Sequence, residues 1–139
     1  MHRSALILLA MLLLAIGVAG FSYAARAAEK TDLAISWAAS ALMTIEQWYE
    51  NTVTTAFAKR TLARARTELD KETDKVRSDT KEGDAFALRE LDLMANLQHA
   101  VEEVSNGLVV DDRPRVRAGI EALRVATAQL NDATSTLKQ

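Results

Sequence analysis

The chain has 139 residues, with 17 Lys and Arg against 19 Asp and Glu and no Cys. Without Cys there is neither a disulfide framework nor a thiolate metal site. Five Gly and one Pro are too few for the turns of an all-β sandwich, and a net charge of −2 supplies no phosphate-neutralising surface, so nucleic acid is not an expected partner.

Met1-His2-Arg3 is a short basic start, and residues 4–25 carry no charge. As a helix, that stretch would be about 33 Å long, enough to cross the hydrocarbon core of a bilayer. Two readings follow. In one, residues 1–27 are a cleaved secretory leader, with Ala5–Ile16 as its apolar centre and Ala25-Arg26-Ala27 as the small-residue site; Ser22-Tyr23-Ala24 is a second site. In the other, the segment stays as a single-pass membrane anchor through residues 4–25. Both place residues 28–139 outside the cytoplasm, in the periplasm or otherwise exported. The charge bias across the segment is small, because Arg26 and Lys30 oppose Arg3.

Residues 29–82 contain neither Gly nor Pro and read as one long helix over about 31–82, stopped by Gly83. Asp84 caps a second helix over about 85–105, ended by Asn106-Gly107. Asp111-Asp112 before Pro114 starts a third over about 113–136. Trp48, Thr55, Leu62, Leu69 and Val76 fall seven apart, as do Val116, Leu123, Leu130 and Leu137. Met94, Leu97, Val101, Val104 and Leu108 alternate steps of three and four. These are bundle or coiled-coil seams. The expected fold is therefore all-α. An N-terminal hydrophobic segment precedes a three- or four-helix bundle, or a helical hairpin with one long helix. Helices two and three are each about half the length of helix one. The long helix therefore either breaks near Asn51-Thr52-Val53-Thr54-Thr55 or leaves its first half uncovered.

Residues that carry chemistry are sparse. His99 has Glu102 and Glu103 three and four positions on, but no second His or Cys completes a metal shell, so a solvent-facing histidine is expected and no metal or other cofactor. There is no G-x-S-x-G and no Gly-rich phosphate loop, and no catalytic residue is assigned. The run from Lys59 to Glu82 is rich in opposite charges three and four apart, which suits a solvated helix face.

Residues 33–57 are the most informative. Leu33–Ile45 is uncharged, and both Trp residues lie in the segment. Trp37, Ala41, Ile45, Trp48 and Thr52 step by four, four, three and four and share a helix face, and Tyr49 and Phe57 lie in the same segment. That face is either the core of a four-helix bundle or a docking surface for another protein or the membrane interface. The expected function is that of a non-enzymatic interaction protein of the cell envelope: a helical accessory subunit, adaptor or assembly factor. It would meet another envelope or membrane protein, or its own copy, through Trp37, Ala41, Ile45, Trp48, Tyr49 and Phe57. A periplasmic bundle binding a small ligand or metal and a membrane-tethered coiled-coil spacer are the alternatives.

Overall fold

The computed structural model describes residues 31–136, and these form four helices joined by short turns. The apolar stretch 4–25, both cleavage sites and Leu137 lie outside the described residues. Helix α1 covers 31–49, α2 Thr55–Asp79, α3 Ala85–Val109 and α4 Arg113–Ser135. They run alternately up and down: Arg66 reaches Glu102 between α2 and α3, and Glu46 of α1 holds Arg124 of α4. Among the described residues no strand occurs, and no helix is long and apolar enough to cross a membrane.

The long helix expected over 31–82 is two helices. Asn51 adopts a left-handed conformation, φ 61°, which Asn tolerates better than most residues. Its N–H donates to the Trp48 carbonyl at 2.9 Å and that of Thr52 to the Gln47 carbonyl at 2.8 Å, the paired bonds of a Schellman end. Three residues later Thr54 caps α2, its hydroxyl accepting from Phe57 N–H at 3.2 Å. A helix stop and a helix start therefore lie within four residues. Trp48 closes the corner by donating its indole N–H to Thr55 Oγ1 at 2.9 Å. Thr54→Ala should lower stability by about 1 kcal/mol, read as a fall in urea midpoint at unchanged slope.

The second helix of the sequence reading runs further than expected. Asn106-Gly107 does not stop it; α3 continues to Val109, and the left-handed residue is Asp111, φ 53°. Gly107 is small for a different reason. A Cβ there would lie 3.1 Å from the Val116 backbone nitrogen, so the glycine lets the start of α4 close onto the end of α3. Asp84 and Asp112 act as the caps read from the sequence, accepting from Phe86 and Ala87 N–H and from Arg115 N–H respectively.

The seams form one core. Leu62, Leu69 and Val76 of α2 meet Met94, Leu97, Val101, Val104 and Leu108 of α3, and Val116, Leu123 and Leu130 of α4. Helix α1 contributes Ala34, Ala38, Ala41, Ile45 and Trp48, spaced four, three, four and three. Its alanines offer little volume, so α1 must lie close to its neighbours to fill the interior. Two buried glutamates interrupt this packing. Glu90 accepts from Thr31 Oγ1, and Glu72 accepts from Lys75 Nζ at 2.7 Å. Glu72 is only 4% exposed and its second carboxylate oxygen has no partner. An apolar side chain of similar size removes that unmade bond, so Glu72→Leu should leave stability unchanged or raise it by about 1 kcal/mol in thermal or urea unfolding.

Candidate interaction surface

The aromatic face of residues 33–57 is turned mostly inward. Ala41 and Ile45 are fully buried and Trp48 is 5% exposed, all within the core. Trp37 and Tyr49 are half-buried at its margin, and only Phe57, in the first turn of α2, is largely open, at 50%. The helix break is the physical cause. Once α2 folds back at Asn51, α1 becomes the fourth member of a bundle, and its apolar stripe has α2 and α4 to cover it. Arginines cover what the bundle leaves bare. Arg64 lies 5.3 Å from the Trp37 ring, and Arg113 lies 5.1 Å from Trp48 and 4.7 Å from Tyr49.

The polar candidates are mostly satisfied. His99 is exposed. Its neighbours are engaged elsewhere, Glu102 by Arg66 at 3.5 Å and Glu103 by Arg115 through two guanidinium nitrogens at 3.1–3.2 Å. Among the described residues no group of three His, Asp or Glu is placed to hold a metal. Along α2, Glu68–Lys71, Glu72–Lys75 and Asp74–Arg77 form the three-apart pairs at 3.0, 2.7 and 2.6 Å. Arg66 and Asp70, four apart, turn instead to α3, Asp70 accepting from Gln98 at 2.6 Å. On the α1–α4 side Glu46 accepts hydrogen bonds from Arg124, which with the carboxylate charge raises the guanidinium pKa above its ordinary value.

Among the described residues, the outer side of α3 and α4 is open. A groove of about 600 Å³ runs between them, floored by Ala100, Gly119 and Ala126. Its α4 wall is Ala118, Ala122 and Val125, all exposed, with Val125 at 55%. Its α3 rim is polar, formed by Asn96, His99 and Glu103. Asn96 and Gln129 also line a second depression that reaches Phe86 and Thr136. From Arg115 to Thr136 the lining of the two depressions follows α4 for about 30 Å.

The groove exists because α3 and α4 approach unusually closely at its floor. A Cβ on Gly119 would lie 3.2 Å from the Val104 backbone nitrogen. Beside the leucines of α4, Gly119 and Ala126 line the groove and Ala133 lines the second depression. The signal for the groove lies one position away, in the outward residues Ala118, Ala122, Val125 and Gln129, spaced four, three and four.

No protein-family model matches this chain, and no curated protein or solved structure matches it.

Proposed function

We propose that this chain is a non-enzymatic interaction protein of the cell envelope, a helical accessory subunit, adaptor or assembly factor, addressed by residues 1–27 and docking through the α3/α4 groove. The observation that carries this reading is the groove: an apolar wall of Ala118, Ala122 and Val125 beside the polar rim of Asn96, His99 and Glu103. An apolar strip bordered by polar side chains is the anatomy of a protein interface. Its length suits a helix, and small side chains at its floor admit one closely. The four-residue break at Asn51 favours a docking module over an extended spacer, because the longest described helices have 25 residues, about 37 Å. The proposed surface replaces the face of Trp37, Ala41, Ile45, Trp48, Tyr49 and Phe57, most of which serves the core.

Two measurements test the reading. The intact mass of the protein from native membrane and soluble fractions tests the address. A full-length mass in the membrane fraction means an anchor, a mass starting at Ala25 or Ala28 in the soluble fraction means an exported bundle, and a full-length cytosolic protein overturns the envelope assignment. A photo-crosslinking amino acid at Ala122 tests the surface in intact cells. The expected result is a discrete adduct that Val125→Glu abolishes. No adduct at Ala122, with the variant folded, overturns the docking role.

A further inference from the structure

The groove also restricts what fits it, on the reading that it is a docking surface. We propose that its occupant is a second copy of this chain, packed antiparallel about a twofold axis so that α4 of each copy lies in the groove of the other.

The order of side chains along α4 suits this pairing. Arg115, Ala118, Ala122, Val125, Gln129 and Asp132 are all exposed and are spaced three, four, three, four and three. That alternation is a coiled-coil seam, separate from the Val116–Leu123–Leu130 seam that builds the core. This seam matches its own reverse. A twofold axis level with the midpoint of positions 123 and 124 sets Ala122 opposite Val125, Ala118 opposite Gln129 and Arg115 opposite Asp132. Every seam residue then faces another seam residue, as an isologous contact requires.

Charge fixes the direction. A parallel pair would set Arg115 against Arg115 and Asp132 against Asp132. The antiparallel pair sets opposite charges together at both ends and opposes the two helix dipoles. Among the described residues Asp132 forms no ion pair. Arg115 is steadied by Glu103, at 3.1 Å, which lines the same groove. Packing agrees with charge. Val125 is the largest apolar side chain on the seam, and the depression over Ala100, Gly119 and Ala126 is where a partner's valine would seat.

The chain has no Cys, so single cysteines report contact directly. Full-length Ala122→Cys and Val125→Cys proteins, mixed and oxidised, should give mixed disulfide dimers on the order of tenfold faster than Thr67→Cys, which sits on the exposed side of α2. Asp132→Arg should weaken association about fivefold, and the charge swap Arg115→Asp with Asp132→Arg should restore it when Glu103→Arg keeps the intrachain pair with position 115. Equal cross-linking at 67 and 122, or a species that stays monomeric at every concentration, overturns the proposal. An adduct at Ala122 in cells containing only a different protein overturns the second-copy inference and leaves the docking reading standing. No adduct of either kind removes both.

Discussion

Gly119→Ala should destabilise the bundle by about 1 kcal/mol, although alanine is the better helix former. Two effects compete. In a helix interior, replacing glycine by alanine gains up to about 1 kcal/mol. Against this, the new Cβ would lie 2.6 Å from Val104 Cγ2 and 3.2–3.3 Å from the Val104 backbone nitrogen and Cα. The side-chain clash has little relief, because valine in a helix is nearly fixed in one rotamer and Val104 is fully buried. The backbone contacts cannot be relieved by any rotamer, so α3 and α4 must separate. Overpacking of this kind costs about 1–3 kcal/mol, which exceeds the gain. Gly119→Val should cost about 3 kcal/mol, since two more methyl groups enter the same space and the propensity gain is smaller. The check is urea unfolding, with a lower midpoint and an unchanged slope. A rise in midpoint for Gly119→Ala would mean that α3 and α4 move apart without loss, and that the groove they form has no fixed width.

Much of this architecture is written in short-range patterns. The seams on α2, α3 and α4 are visible because each apolar stripe has a helical period, and the caps at Asp84 and Asp112 because their side chains act within three residues. The break at Asn51 was equally present, as an Asn able to take a left-handed turn followed by Thr54 as a cap, but it had to be weighed against 54 residues without Gly or Pro. Asn106-Gly107 looked like a helix stop because Gly serves both as a terminator and as a contact point. Only the position of Val116 distinguishes the two roles. The orientation of the aromatic stretch was not legible: Ala41, Ile45 and Trp48 enter the core, Trp37 and Tyr49 sit at its margin, and Phe57 lies open on α2. Whether Ile45 and Trp48 look inward depends on α4 reaching them, and no local pattern encodes that. Long-range partners of charged residues were illegible for the same reason. Arg113 and Arg115 lie two apart in sequence, yet Arg113 turns to α1 and Arg115 to α3. The α3/α4 groove lay in plain view as a second seam on α4, masked by the stronger leucine seam beside it.

Arg113→Ala should cost about 2–3 kcal/mol, the largest expected effect of any charged side chain on this bundle. Its guanidinium lies against both the Trp48 and Tyr49 rings, donates to the Tyr49 carbonyl at the end of α1, and lies 3.4 Å from Asn51 Oδ1. One side chain thus satisfies a terminal carbonyl of α1, places a cation at the negative end of that helix, and ties it to the first residue of α4. Cation–π contacts contribute about 0.5–1 kcal/mol each at partly exposed sites, and a charge-assisted hydrogen bond about 1.5–3 kcal/mol, with less than full additivity among contacts made by one group. Arg113→Lys should recover less than half of the loss. An ammonium keeps the charge but lacks the flat fork that can face two rings and reach a carbonyl at once. The effect should also be local. Amide exchange at Asn51 and Thr52, whose N–H groups bond back to α1, should quicken, while exchange at Val101 and Val104 in the core changes only with global stability. In a Trp37→Phe background, Trp48 emission reports the same corner. A loss under about 0.5 kcal/mol, with unchanged exchange at Asn51, would show that core burial alone joins α1 to α4 and that Arg113 merely decorates the seam.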